Sequence, residues 1–531
     1  MATWRHARSV CGTAGSSSRG GARTTIPTAG SSSRGETPAT CPTAGQASRA
    51  TSPGQGPPHK ACVALWVLLT AALAGCTVNQ AKETAAYRKP LDEKMPPAAA
   101  QLAPDEVLTL PRALAMANYQ NERLALGGED YVQALIERDR SASKLLPAIS
   151  IGAAYTKLES FAAPPPVGSI FPNPSLDVPV RTTLAVDLSN IADVEKNEVL
   201  AQYRLAVLLN LQSDILVATA ETYYQILSLE RQVKVLENSV AVQEDRVAYV
   251  RDRVKAGVDR ELDLRESEAQ AAGTRASLID TRNKLATARA GLAFLVGAAA
   301  VDNPLVDGFE IPAVPSIEES QQRAAEKRQD VLATEALVAA AEKGLAAAYA
   351  DYLPTVSLDF DYFLSKQSFP ADSRWLFGVG VNLPIFSGGK LYAGLRTACS
   401  LMRQAAAYDS LTRRQVAEQV KVAYGDLEAS GNRLKEYEAQ VAAARDAFQL
   451  ADQSYGAGLT TNLDRLVVQN RLQQAELQLA AETLSRKIMY LRLLRQTGAL
   501  VDEVEHLETP IPGAPAAEAA AAPPASPASG G

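Results

Sequence analysis

Two kinds of hydrophobic spacing alternate along this chain. Val356, Leu358, Phe360, Tyr362 and Leu364 fall on one side of a stretch whose other side is Ser357, Asp359 and Asp361. That period of 2 predicts an amphipathic strand. A partner strand near 375–383 (Trp375, Phe377, Val379, Val381, Leu383) repeats the pattern, as does one near 180–188, where Leu184, Val186 and Leu188 alternate with Thr183, Ala185 and Asp187. Turn-rich loops are expected at 157–179, with Pro164, Pro165, Pro166, Pro172 and Pro174, and at 365–373. After each strand pair the period changes to 3.5. Ile226, Leu229, Val233, Leu236, Val240, Val247, Val250 and Val254 advance by threes and fours with one gap at Gln243. Val416, Val420, Ala423, Leu427, Ser430, Leu434, Tyr437, Val441, Ala444 and Phe448 follow the same rule. Such seams predict coiled-coil packing.

The chain is also a duplication. Leu146-Pro147-Ala148-Ile149-Ser150-Ile151 returns as Leu353-Pro354-Thr355-Val356-Ser357-Leu358 at an offset of 207, and Ala256-Gly257-Val258 with Leu262-Asp263 returns as Ala457-Gly458-Leu459 with Leu463-Asp464 at an offset of 201. Gly257 stands as far before Gly297 as Gly458 does before Gly498. Each unit therefore reads as a helix (roughly 106–145 and 317–352), two strands, a very long helix, a glycine turn and a returning helix. Long helices over about 194–255 and 390–456 are on the order of 90–100 Å at 1.5 Å per residue. The shorter helices of the first copy, of about 40 and 36 residues, come to roughly 60 and 54 Å, so that stacked end to end they would match one long helix. Four strands per chain cannot close around a lumen, since about eight is the smallest closing number. Two copies would make a plugged barrel and three a barrel with room for water.

Domain boundaries follow: 1–60, a low-complexity extension in which Thr-Ala-Gly recurs at even spacing from Thr13, Thr28 and Thr43, read as a mis-assigned start; 61–75, a secretion signal; 76–104, a short mature segment; 105–300 and 317–500, the two repeats, with a linker at 301–316; and 509–531, an Ala/Pro tail expected to be disordered. The run from Ala61 to Gly75 is apolar but falls short of the roughly 20 residues that a helix needs to span a bilayer. It ends in Leu73-Ala74-Gly75-Cys76, which resembles the lipobox of bacterial lipoproteins and makes Cys76 the candidate acylation site. Of the net charge of −6, seven basic residues and one acidic residue before Cys76 account for +6, leaving −12 on the mature chain, a poor balance for nucleic-acid binding.

The chemistry of catalysis is missing from the repeats. The three histidines, His6, His59 and His506, lie near the chain ends, and the five cysteines (11, 41, 62, 76 and 399) form no metal-binding spacing. No enzyme, cofactor or metal site is expected. Ser387-Gly388-Gly389-Lys390 is no phosphate loop, because Pro384 and Leu391 stand where a glycine and a hydroxyl residue are needed. Cys399 reads as a packed side chain.

A doubled unit of helix, strand pair and long helical hairpin behind a lipobox resembles the TolC-type outer-membrane efflux channel family. The similarity rests on Leu353-Pro354 before a strand, on Leu383-Pro384-Ile385-Phe386-Ser387-Gly388-Gly389-Lys390 at a strand-to-helix junction, and on Tyr455-Gly456-Ala457-Gly458-Leu459 with Leu463-Asp464. It covers about 105–500, and Tyr87-Arg88-Lys89-Pro90 is similar to the start of lipidated members. The first-copy junction Asp187-Leu188-Ser189-Asn190 departs by lacking the glycines.

The resemblance implies a mainly α fold with a small transmembrane β part: a homotrimeric 12-stranded β-barrel in the outer membrane of a Gram-negative bacterium, continued by an α-helical barrel through the periplasm. Its implied partners are outer-membrane lipid, a periplasmic adaptor (membrane fusion protein) and an inner-membrane pump, proton-driven or ATP-driven. The function it implies is a passive exit duct for small toxic molecules, with type I protein secretion as an alternative. A periplasmic coiled-coil lipoprotein without a channel is the other class, and it has no use for the strands.

Under the same resemblance Asp263 and Asp464 occupy the positions of a gating aspartate ring, although an aspartate also simply favours a helix start. Thr460 stands where some members place a linking arginine, so Arg260 or Arg465 would substitute, with Tyr455 as a further gate candidate. Gly257 and Gly458, with Ala256 and Ala457, form the hairpin tips where the adaptor would dock, and the glycines also fit ordinary helix C-caps. Trp375, Tyr362 and Phe386 are candidates for a membrane-interface girdle.

Overall fold

A computed structural model of the chain describes residues 78–93, 95, 106–157, 174–368 and 372–503. Cys76, the signal, the N-terminal extension and the Ala/Pro tail lie outside the described residues. From Ala81 onward the chain forms one unit. Its elements are α1 (Gln80–Asp92), α2 (Leu110–Gln120), α3 (Glu122–Ser143), β1 (Ala148–Ile151), β2 (Ala154–Thr156), β3 (Ser175–Val186), α4 (Leu188–Lys255) and α5 (Glu261–Val296), then α6 (Ile317–Lys327), α7 (Gln329–Ala350), β4 (Thr355–Ser365), β5 (Trp375–Asn382), α8 (Lys390–Gly456), α9 (Asn462–Thr497) and α10 (Leu500–Glu503).

The expected single helices at 106–145 and 317–352 are each broken at one extended residue, Asn121 (ψ 120) and Arg328 (ψ 129). The two breaks are separated by the same offset as the strand motifs. Each breaking residue is held by the end of a returning helix: Asn121 Nδ2 donates to Leu295 O of α5 at 2.9 Å, and Arg328 donates to Gln496 O and Oε1 of α9. Just beyond, Gly297 and Gly498 cap those helices at φ 69° and 73°. A Cβ on Gly297 would sit 2.8 Å from Gln120 Cβ, and one on Gly498 3.0 Å from the Lys327 carbonyl carbon. Hence α5 ends where α3 begins and α9 ends where α7 begins, with the negative end of one dipole against the positive end of the next. The stacked pairs, 22 and 36 residues each, come to about 87 Å beside about 102 Å for the 68-residue α4.

Packing follows from the seams. Above the joints α4 lies between α3 and α7, and α7 packs on α8; below them α4 lies between α5 and α9, and α9 packs on α8. The four columns therefore run in the order α3/α5, α4, α7/α9, α8. All ten seam positions predicted on α8 are buried or half-buried. On α4 the heptad Leu229, Leu236, Gln243 and Val250 is buried, and the polar gap is filled by Gln243 Nε2 donating to Gln473 Oε1 of α9. The main core sits at the waist, where α1, α2 and the linker join α4, α5 and α9 around Leu114, Leu216, Tyr223, Leu292 and Leu491. Tyr223 Oη lies 2.8 Å from both Leu108 O and Val306 O, tying the segment before α2 to the linker. The Tyr87 ring fills the notch left by Gly128, and Arg88 donates to Asn118 O and Tyr119 O at the end of α2.

The sheet is antiparallel throughout, in the order β1-β3-β4-β5, with β2 continuing the β1 column against β3. Among the described residues there are thus five strands where four were expected. The first-copy strand is interrupted at Gly152, whose N–H donates to Pro179 O, opposite a register shift at Val178/Pro179. Proline has no N–H for the ladder, and strands accommodate it at such irregularities. β3 begins at Ser175, inside the expected loop. α4 begins six residues earlier than expected, because Asp187 caps it by accepting from Ser189 N–H at 2.8 Å. At the equivalent second-copy junction the turn is made by Gly388 (φ 63°) and Gly389 (φ 85°). An aspartate cap thus does in one copy what two glycines do in the other.

The hairpin tips and the exposed sheet as candidate functional site

Alternation alone does not say which face of a sheet is covered. Here the apolar face is the uncovered one: Ile149, Phe360, Tyr362, Trp375, Phe377, Val379 and Val381 are all exposed, with Val381 at 69%. The register aligns Tyr362 with Trp375, Phe360 with Phe377, Leu358 with Val379 and Val356 with Val381. The opposite face carries Arg181, Thr183, Ser357, Asp359 and Asp361. A soluble sandwich buries such an apolar face; a membrane strand turns it to lipid. β3 and β4, at 12 and 11 residues, reach the roughly 9–11 needed to span a bilayer when tilted. Among the described residues no helix is long and apolar enough to cross a membrane. Trp375 and Tyr362 lie at the loop end of the sheet, whereas Phe386, 88% exposed, follows its helix end. The three aromatics thus mark two rims, not one.

At the far end of the molecule the two turns are built alike. Ala256 and Ala457 close α4 and α8, and Gly257 and Gly458 follow at φ 74° and 75°. Val258 N–H bonds back to Arg253 O and Leu459 N–H to Ser454 O, so the glycines sit where a left-handed residue ends a helix. Six residues beyond each glycine, Asp263 and Asp464 occupy the third position of α5 and α9; Asp464 completes a capping box with Thr461, and Asp263 accepts from the Arg260 N–H in the same way, without a return bond because a guanidinium only donates. Asp263 is buried, accepting from Arg260 N, Nε and Nη2 at 2.9–3.1 Å. Asp464 accepts from Thr461 N and Oγ1, is exposed, and has no cation at ion-pair distance among the described residues. Both carboxyls titrate below the ordinary range, Asp263 because of Arg260 and Asp464 because of Thr461.

The bond between hairpins is made by Tyr455, whose hydroxyl donates to Asp259 Oδ2 at 2.7 Å. Arg253 grips the same carboxylate with Nε at 2.9 Å and Nη2 at 3.1 Å. Burial, followed by the Asp259 contact, pushes the Tyr455 phenol up to about 12. The Arg253 guanidinium holds Asp259 below the carboxylate range. Three guanidiniums surround the Tyr455 ring: Arg246 at 4.5 Å, Arg253 at 5.6 Å and Arg465 at 5.6 Å. Arg465 is 1% exposed and reaches Asp452 at 3.5 Å and Gln469 Oε1 at 3.3 Å. Asn462 Nδ2 adds a second cross-link, to Asp263 O and Ser267 Oγ of α5.

Of the predicted tip residues, then, Tyr455 and Arg465 belong to one inter-hairpin cluster, while Arg260 turns back onto Asp263 within its own turn. Asp259, Arg246 and Arg253 were missed in the sequence. Their one signal is Arg246 and Arg253 spaced seven apart on a seam that already ends in Gly257.

A lipid-facing sheet above, helical columns below and a polar clasp at their far end define the protomer of a membrane duct. The sequence profile of the family described as "Outer membrane efflux protein" matches residues 134–298 and 321–499, and the chain belongs to that family. It is an outer-membrane channel protein, not an enzyme. Outer membrane protein TolC of Vibrio cholerae is 21% identical over 375 residues, covering 68% of this chain and 84% of that protein. The probable efflux pump outer membrane protein TtgC of Pseudomonas putida is 26% identical over 255 residues, 46% of this chain and 51% of its own length. Among solved structures, the outer-membrane channel OprN superposes with a TM-score of 0.65 at 22% identity, covering 73% of this chain and 90% of that one. VceC of Vibrio cholerae gives 0.64 at 20%, covering 73% and 96%.

Proposed function

We propose that three copies of this chain form an exit duct, a 12-stranded barrel continued by a helical tunnel, that carries small toxic compounds out through the outer membrane with a periplasmic adaptor and an inner-membrane pump. The observation that carries this reading is the pair of free edges. β1, α3 and α5 lie on one side of the protomer and β5 and α8 on the other, and the edge strands run in opposite directions. β5 of one copy is therefore set to pair antiparallel with β1 of the next, a head-to-tail contact that closes a ring.

The tips would close the duct, with Tyr455, Asp259 and Arg253 as the clasp and the exposed Asp464 as the carboxylate free to form a ring. Gly257 and Gly458 shape the turns that an adaptor would meet, and acylation of Cys76 would tether the mature N-terminus. Protein secretion is the second reading, favoured by the 25% identity over 331 residues to the alkaline protease secretion protein AprF of Pseudomonas aeruginosa, covering 68% of that protein.

Membrane separation followed by native mass in mild detergent tests the duct. A trimer in the outer-membrane fraction is expected, whereas a monomer or a species released without detergent would return the chain to the scaffold class.

A further inference from the structure

The polar face of the sheet carries charges that the tips do not use. Arg181 and Asp361 stand directly opposite one another on β3 and β4, with Nε to Oδ1 at 2.9 Å and Nη2 to Oδ2 at 3.3 Å. The pair joins the two repeats at mid-sheet, and each charge cancels the other. Asp359 lies two residues along the same face, flanked by Thr183 of β3 and Gly378 of β5. Among the described residues it has no hydrogen bond or ion pair, and Arg181 acts on it only through the longer-range attraction of its charge.

β5 adds nothing that would cover it. On this face β5 places Leu376, Gly378, Gly380 and Asn382 opposite Asp361, Asp359, Ser357 and Thr355, so the residue directly across from Asp359 is a glycine. A Cβ at Gly380 would come within 2.6 Å of Ser357 Oγ, whereas one at Gly378 would lie 3.9 Å from Asp359 Cβ, an ordinary contact. Asp177 is the one other charged residue in the described strands, and its carboxylate accepts from Gln367 N–H and Ser368 N–H at the loop end.

Resting on the trimeric duct reading, we propose that Asp359 makes the barrel interior a cation-preferring section in its own right, separate from any ring at the tips. Closure of the sheet with its apolar face to lipid turns Asp359 inward, and three-fold symmetry puts three such carboxylates at one height. Rings of uncompensated carboxylates favour cations in channels. Arg181 sets the strength of the effect, because its one positive charge offsets one of the two carboxylates it attracts and leaves one negative charge per copy. Cationic cargo would gain and anionic cargo lose in this stretch of the path, and salt would weaken the preference, with a screening length of about 10 Å at 0.1 M and about 3 Å at 1 M.

The test is the reversal potential of the purified full-length protein in planar bilayers under a potassium chloride gradient centred near 0.1 M. Asp359→Asn should move it toward zero, and Arg181→Gln should move it the other way by uncovering Asp361. Both shifts should persist in an Asp464→Asn background, which separates barrel from tip. Asp359→Asn breaks no hydrogen bond or ion pair, so it reports even where Arg181→Gln folds poorly. Channels whose reversal potential is the same in wild type and Asp359→Asn, in both backgrounds, would overturn this inference and leave the duct standing. A wild-type protein that forms no channels at all would overturn both.

Discussion

Tyr455 and Asp259 come from different hairpins, and one hydrogen bond joins them. A bond between a neutral donor and a carboxylate contributes about 1.5–3 kcal/mol. Tyr455→Phe, which keeps the ring among the three guanidiniums, is therefore expected to loosen the clasp by about that much per protomer. Single-channel recording should show higher conductance, and cells should admit antibiotics more readily; unchanged conductance would remove Tyr455 from the gate.

The pH range of the clasp follows from signs. Asp259 and Asp263 are depressed, so their contributions are present above the ordinary carboxylate value of about 3.9 and are lost as pH falls below it. Tyr455 is raised to about 12, so its contribution is complete below about 10, the ordinary value, and is lost as pH rises toward 12. Conductance is expected to stay flat between roughly pH 4.5 and pH 9.5 and to rise outside that window. A step near neutrality would mean another group holds the tip.

Asp263 and Asp464 were found in the sequence because the family resemblance points to an aspartate at this turn and a short, local distance from Gly257 and Gly458 fixes which one. Asp259 was invisible for the opposite reason: its partners, Arg253 and Tyr455, are 6 and 196 residues away, and the longer of those separations is closed by the fold.

Among elements, periodicity found the long helices and their seams but not the breaks at Asn121 and Arg328. The residues around Asn121, Met116-Ala117-Asn118-Tyr119-Gln120 and Glu122-Arg123-Leu124, are acceptable in a continuous helix. What ends α2 there is a carbonyl at the end of α5, far along the chain. Gly297 and Gly498, first noticed as repeat markers, turn out to be the contact points of these joints. Gly297→Ala would force a side chain into the left-handed region and against Gln120, costing about 1–3 kcal/mol from the backbone alone. Thermal unfolding should register it, and Gly273→Ala, where nothing lies within 4 Å of the new Cβ, should show no such loss. The strand interruption at Gly152 was likewise hidden, since it depends on Pro179 standing opposite.

At the scale of the molecule, the duplication was the most legible feature, and the membrane character of the sheet the least. Alternating residues fit a sandwich and a barrel equally well until the apolar face is seen to be bare. The interior is concentrated at the waist, where Leu114, Leu216, Tyr223, Leu292 and Leu491 are almost fully enclosed. The tips rest on polar bonds and a few seam residues. Amide hydrogen exchange should accordingly be slowest in α2, the mid-section of α4 and the C-terminal third of α9, and fastest in the turns around Gly257 and Gly458. Uniform protection along α4 and α8 would contradict that distribution.

Between the sheet and the tips, α4 and α8 pass the waist without interruption, while the columns beside them are each made of two helices meeting end to end. Unbroken rods of about 100 Å rooted in a hydrogen-bonded sheet resist flexing, yet they transmit torque along their whole length. The jointed columns cannot transmit it in the same way and must slip at Asn121 and Arg328 instead. Unlocking the tips should therefore displace α5 and α9 against α4 and α8, turning at the two joints while the unbroken rods stay rooted in the sheet.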